Sequence, residues 1–543
     1  MEVTQHLAGL DWAIVVGYFV LILWVAYWYS RKRDRNSEQA SADYFLGGRS
    51  LGWFAIGASL FASNIGSEHL IGLAGSGASG DFPAAQFEII ASIILLVLGW
   101  LFVPFYLKSG VFTMPEFLEK RYDSWSRGYL SWVSIVAYIL TKISVTIAAG
   151  GIIFTTLMGI NFWTGALFVV LATGLYTVLG GLKAVVYTDM VQMFLFLGGS
   201  LALTWFGLHA VGGWSEVRAV TSPEALSLWR PASHPNFPWT GILLGAPILG
   251  VWYWCTDQFI VQRVLSAKNL QEARQSTIFA GYLKLLPLFL FVIPGVIAFA
   301  LAQKGMLQFP IVDGKPVYDA ALPALTMQIL PAGLRGLVVA GLLAALMSSL
   351  SSVFNSGSTL ITMDIYRKYY PQSTERRLVI VGQLATVAMT VLGLLWIPML
   401  QIIEGGLFQK LQSIQAYISP PIASVFLLGL FREKINANGA KAALLSGAAI
   451  GTLRLVMELN KGQLSGLGLA FVEINFLHFA VLLFLFCSFV LIAVSHWAPQ
   501  PLSVEARSVM YQRDTLEFKS SPRNLILSAI LLVVIAILWY VFR

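Results

Sequence analysis

The 543-residue sequence is 57% hydrophobic and only 11% charged, against roughly 25% charged in soluble domains, which excludes a soluble globular protein and puts nearly the whole chain in a membrane. Its net charge of +8 does not point to nucleic acid, because the basic residues lie in short loops between apolar stretches, as the positive-inside rule describes. Cys255 and Cys487 both lie in apolar stretches, so no disulfide framework is expected.

Windows of about 20 apolar residues predict fourteen spans, near 10–29, 51–75, 83–107, 128–158, 161–180, 183–209, 240–259, 274–303, 325–356, 376–400, 405–430, 438–457, 474–497 and 524–542. The first has no small-residue cleavage site and reads as a retained helix rather than a signal peptide. Loops after odd-numbered spans carry most of the Lys and Arg, which predicts cytoplasmic basic loops and both termini outside. The longer connections, about 210–239 and 498–523, are too short for separate domains.

The second span is anomalous. Its middle reads Phe61-Ala62-Ser63-Asn64-Ile65-Gly66-Ser67-Glu68-His69. A charge at the centre of a spanning helix costs at least ~2.5–3.5 kcal/mol, and glycine weakens the helix at the same point. This row predicts an interrupted helix facing a cavity that holds a polar or ionic ligand. Glu68 itself has no assigned role and is expected to face water or a neighbouring helix.

Other spans carry expensive residues: Glu88, Lys142, Lys284 and Gln412. With Asn64 and His69, Glu88, Lys284 and Gln412 offer donors, acceptors and both charges, the mixture a neutral polyhydroxyl ligand requires, while Lys142 is an intramembrane charge that must find a partner. The plainer alternative is that Glu88 and Lys284 pair only to hold helices together. Phe87, Tyr253, Trp254 and Phe408 are suited to stacking on a sugar ring or closing a cavity, although most aromatic residues in such a chain serve the core or the interfacial belt. The stretch 252–258 is a second candidate break, five spans after the first. The favoured alternative is that Asp257 caps the end of a span.

The span near 325–356 contains Ala345, Ser348, Ser349, Ser351 and Ser352. Small residues permit close helix approach and serines bond back to their own helix. The sharper reading is a Na⁺ site, since this hard cation prefers oxygen, built from backbone oxygens near Ala62 and Ile65 with Ser348 and Ser349. Asp189 either caps its helix or attracts a cation leaving inward.

These stretches resemble the sodium/solute symporter family, and within it the sodium/glucose cotransporters. The resemblance runs through Ala62–Ser67, Thr113–Leu118, Gly180–Asp189, Tyr253–Gln258, Gln262–Asn269, Tyr282–Pro287, Met347–Ser349 and 354–366. It implies an all-α polytopic membrane protein with a five-plus-five inverted-repeat core (LeuT-like) and discontinuous first helices in each repeat. The implied division is 1–50 as an extra helix and loop, 51–239 and 240–437 as the repeats, and 438–543 as additional helices. It implies Na⁺-coupled secondary transport of a hexose in the cell membrane, with Na⁺, sugar and bilayer as partners, no nucleic acid and no obligate protein partner.

The family's sugar contacts fall on Asn64, His69, Glu88, Tyr253, Trp254, Lys284 and Gln412, with Phe87 and Phe408 as outer lid and Tyr253 as inner lid. Its Na⁺ ligands fall on Ala62, Ile65, Ala345, Ser348 and Ser349, and a second Na⁺ site is allowed by Ser63, Asp189, Ser351 and Ser352. Gly250, Gln415 and Thr146 depart from relatives and leave the preferred sugar open. Inositol or another polyol is the rival within the class, and a sugar-gated Na⁺ conductance or sensor the rival outside it. An enzyme is disfavoured, because no convergent nucleophile, base or metal set is visible.

Overall fold

The computed structural model describes residues 7–31, 38–312, 314–396, 407–511 and 521–543. The described chain is almost wholly helical, with one two-residue hairpin pairing Ile311–Val312 and Lys315–Pro316. Cys255 and Cys487 are free and buried.

Among the described residues, eleven helices are long and apolar enough to cross a membrane, not the fourteen expected. The difference has a physical origin. Two expected spans, 51–75 and 240–259, are broken into pieces too short to qualify alone: Trp53–Asn64 with Ser67–Ser79, and 239–256 with Gln258–Leu265. Two others are joined in Phe162–Val211, a 50-residue helix that turns at Gly181, where φ is +60°. At 1.5 Å per residue it is more than twice the ~30 Å of a bilayer core. Glycine is required at that turn for two reasons. The positive φ suits it, and a Cβ there would lie 2.5 Å from the Tyr44 carbonyl oxygen.

The expected span 325–356 is also displaced. Ala321–Ile329 is a separate short helix, and the long helix runs Leu334–Tyr369. Leu330 precedes Pro331 and is extended (φ −82°, ψ 142°), as a residue before proline prefers. The new start is capped from the first helix, Gly9–Arg31. The Asp11 carboxylate accepts the backbone N–H groups of Gly333 (2.6 Å) and Gly336 (2.8 Å), a strong arrangement at a helix N-terminus. Lower on the same helix the Tyr18 hydroxyl donates to Met347 Sδ at 3.2 Å. The first helix therefore fixes the height of the serine-rich helix.

Candidate binding site at the two helix breaks

The first break lies at Ile65 (φ −82°, ψ 90°) and Gly66 (φ −88°, ψ 176°). Gly66 N–H turns to the Asn64 carbonyl (3.1 Å) instead of continuing the ladder to Ala62. The second break lies at Asp257 (φ −79°, ψ 130°), so the stretch 252–258 is an interruption. Asp257 does cap, but at the start of the next piece: its carboxylate accepts the Phe259 N–H at 3.1 Å. It also accepts from the Tyr138 hydroxyl. The turn before this break, Val251–Thr256, is π-helical, as is Tyr138–Ile143 opposite it. Such widened turns swing side chains out of helical register, and these two carry Tyr253, Trp254 and Lys142.

A cavity opens beside the breaks. Asn64, His69, Phe87, Glu88, Tyr253, Trp254, Lys284 and Gln412 all line it. Of the expected sugar contacts only the side chain of Phe408 lies outside what the structure describes. Lys142, Gly250 and Gln415 complete part of the wall. At Gly250 a Cβ would stand 3.0 Å from Ile94 Cγ1.

The polar groups form one connected network. Lys284 Nζ donates to Glu88 and, at 2.5 Å, to Asn64 Oδ1. Asn64 Nδ2 donates to the Tyr253 hydroxyl at 3.1 Å, and Lys142 Nζ donates to the same hydroxyl at 2.9 Å. Lys142 also stands 4.4 Å from the Tyr253 ring centroid, and Lys284 5.4 Å from that of Trp254, both within cation–π range. Lys142, a charge that had to find a partner, thus finds a phenol and its π face. The pairing of Glu88 with Lys284 is present, and it lies in the cavity wall rather than between helices remote from it.

Glu68 does not face water. It is 1% exposed, and its carboxylate folds back over the bare Cα of Gly66. Its Oε1 stands 3.6 Å from His69 Nδ1.

Ala62, Ile65, Ala345, Ser348 and Ser349 are all buried. The serine helix meets the first break directly: the Ser349 hydroxyl donates to the Ser63 carbonyl at 3.1 Å. Ser348 donates to Asp189 at 2.7 Å, and Ser59 donates to the other Asp189 oxygen at 2.6 Å. Ser63 and Ser351 bond back to their own helices, at Leu60 and Ser348. Ser352 accepts from Arg263.

Arg263 is the residue that sequence reasoning missed. Its place just after the expected 240–259 span reads as a basic cytoplasmic loop, yet its side chain is fully buried, 3.4 Å from Asp189 Oδ2. Its Nε donates to Ser59 at 2.8 Å. The signal was the second break: Gln258–Leu265 turns back into the core, so its last turn is interior.

The family model described as "Sodium:solute symporter family" matches residues 44–447. The chain belongs to that family. It is 40% identical over 522 residues to sodium/glucose cotransporter 1 of Ovis aries, covering 89% of this chain and 78% of that protein. It is 39% identical over 547 residues to sodium/glucose cotransporter 2 of Rattus norvegicus, covering 93% and 81%. The solved substrate-bound, outward-open state of a Na⁺-coupled sialic acid symporter superposes with a TM-score of 0.76 at 22% identity, over 91% of this chain and 99% of that one. That likeness shows that this family member shares that fold.

Proposed function

We propose that this protein is a Na⁺-coupled symporter of a neutral hexose, working by alternating access across the cell membrane. The observation that carries the reading is convergence. Residues spread from Asn64 to Gln412, expected from resemblance alone, line one cavity at the helix breaks. The mixed wall of two lysines, a carboxylate, amides and an imidazole suits hydroxyls, each of which donates and accepts.

In this reading Na⁺ is held by oxygens of Ala62, Ile65, Ala345, Ser348 and Ser349. Ser349 already ties its helix to the break through Ser63, and its hydroxyl keeps lone pairs for an ion. Glu88, Lys284, Asn64 and Gln412 bind the sugar, His69 and Trp254 complete the wall, and Tyr253 closes the inner side. Phe87 and Phe408 form the outer lid. The repeats run 51–239 and 240–437, with the basic loops cytoplasmic and the termini outside. A second Na⁺ near Ser63, Asp189, Ser351 and Ser352 belongs to the same reading at a cost, since the ion would displace the buried Arg263 guanidinium from Asp189 and Ser352. One charge moving through ~100 mV supplies ~2.3 kcal/mol, and a tenfold Na⁺ gradient ~1.4 kcal/mol. One ion therefore limits accumulation to a few hundredfold, and two to roughly the square of that.

The test is uptake into proteoliposomes across hexoses, pentoses and inositol, with and without a Na⁺ gradient. Na⁺-driven accumulation of a hexose is expected. Accumulation of inositol alone would move the substrate class, and current without accumulation would overturn symport.

A further inference from the structure

We propose that Glu68 is a positioning residue for the sugar site: its carboxylate holds His69 protonated at Nδ1, so that Nε2 presents a lone pair to one sugar hydroxyl. The inference rests on the hexose reading and deepens it.

The geometry begins at Gly66. A Cβ at this position would lie 2.2 Å from Glu68 Oε2 and 2.4 Å from Oε1, so the carboxylate occupies the space a side chain would take. Glu68 is 1% exposed, and among the described residues Oε2 has no hydrogen-bond partner. A buried carboxylate with an unused oxygen is expensive unless it serves a neighbour. The neighbour is His69, whose Nδ1 stands 3.6 Å from Oε1, a separation that a small ring rotation closes once a ligand fixes the other nitrogen. A carboxylate at one ring nitrogen sets the tautomer and leaves the other nitrogen an acceptor.

The cavity's acceptors are the Glu88 carboxylate and the side-chain amides, and an imidazole lone pair adds a neutral acceptor to them. Lys142 and Lys284 bring ammonium donors, and Lys284 already engages both Asn64 Oδ1 and Glu88. These, with Tyr253, are the other titratable groups lining the cavity with His69. A sugar hydroxyl bonded to Lys284 or Gln412 still has a proton to place, and His69 Nε2 accepts it.

The test pairs substrate and protein changes. Fluorine in place of a hydroxyl keeps a weak acceptor and removes the donor. For the wild-type chain, one monofluoro analogue of the transported hexose is expected to lose roughly tenfold in KM, the size of one hydrogen bond. In Glu68→Gln the amide donates to Nδ1 and reverses the tautomer, and that penalty should fall to about twofold or less while penalties at other ring positions stay. In a His69→Gln background, Glu68→Gln should change nothing further. An unchanged fluoro-sugar profile in Glu68→Gln, or a further change in the His69→Gln background, would overturn the inference. Should Glu68→Gln fail to fold, the ¹⁵N shifts of His69 in the wild-type protein decide: protonation at Nδ1 supports the assignment and protonation at Nε2 overturns it. Absence of Na⁺-driven uptake of every parent hexose by the wild type would instead defeat the hexose reading on which the inference stands.

Discussion

The pairing of Glu88 with Lys284 has two readings, a clasp between helices or a part of the binding site, and a mutational cycle separates them. Glu88 is 3% exposed and Lys284 1%. In Glu88→Gln the ammonium keeps Asn64 Oδ1 at 2.5 Å as its acceptor and loses its counter-charge. Breaking one side of a buried pair costs about 3–5 kcal/mol, a large part of a net stability of about 5–15 kcal/mol. Lys284→Met strands the carboxylate at a similar cost. The double variant Glu88→Gln/Lys284→Met removes both charges, and replacing a whole buried pair is often neutral for stability. Thermal melts of the detergent-solubilised protein should therefore show two damaged single variants and a largely restored double. Uptake should not follow. A charge-assisted hydrogen bond contributes about 1.5–3 kcal/mol, so loss of both groups should raise sugar KM at least tenfold even in the restored double. A double variant that transports sugar with the wild-type KM would make the pair a clasp and remove both residues from the site. Additive damage in the double would refute the coupling itself.

Three further outcomes are expected. Ser349→Ala removes the hydroxyl that donates to Ser63 and should abolish Na⁺-dependent uptake at ordinary Na⁺ while the protein still folds; an unchanged Na⁺ titration would exclude Ser349 as a ligand. Gln412→Ala should weaken sugar binding by about 1–3 kcal/mol through unpaired buried partners, measured by tracer-sugar displacement, and wild-type affinity would take Gln412 out of the cavity's chemistry. Arg263→Ala leaves Asp189 buried without its cation and should cut the yield of folded protein, at a cost of about 3–5 kcal/mol. Asp189→Asn in the same background should restore yield in size-exclusion profiles, and no restoration would mean that Arg263 acts through packing.

The first break was legible because six polar or small residues interrupt an otherwise apolar span, and a bilayer penalises no other explanation so little. The sugar-lining set was legible through resemblance, and the cavity gathers it from five separate stretches of chain. What the sequence hid was the consequence of breaks for everything after them. Arg263 stands close to Lys268 and reads as a loop cation, yet the extended Asp257 lets Gln258–Leu265 re-enter the core and carry it to Asp189. Glu68 reads as an acid facing water or a neighbouring helix, and of these the water-facing reading fails because the missing side chain of Gly66 makes room for it inside. Fewer continuous helices than expected spans appear among the described residues, because two spans are split at the breaks and two others are joined through the turn at Gly181. The start of the serine helix is set by a tertiary contact, the Asp11 cap, which no local window contains.

The proximity of these features bears on how ion and sugar would be coupled. Ser63, whose carbonyl takes the Ser349 hydroxyl, and Asn64, whose side chain joins Lys284 to Tyr253, are adjacent residues. A shift of the break toward the serine helix must therefore move the Asn64 side chain with the Ser63 carbonyl. No relay of packed side chains is needed between the proposed ion and sugar sites, and their coupling is a property of one backbone segment. Coupling free energies are reciprocal and typically about 1–3 kcal/mol, so Na⁺ should raise sugar affinity about 5–150-fold and the sugar should raise Na⁺ affinity by the same factor. Ser349→Ala cuts the tie between serine helix and break without touching the cavity. At saturating Na⁺ it should therefore leave the sugar's fluoro-analogue profile intact while lowering the factor by which each ligand helps the other.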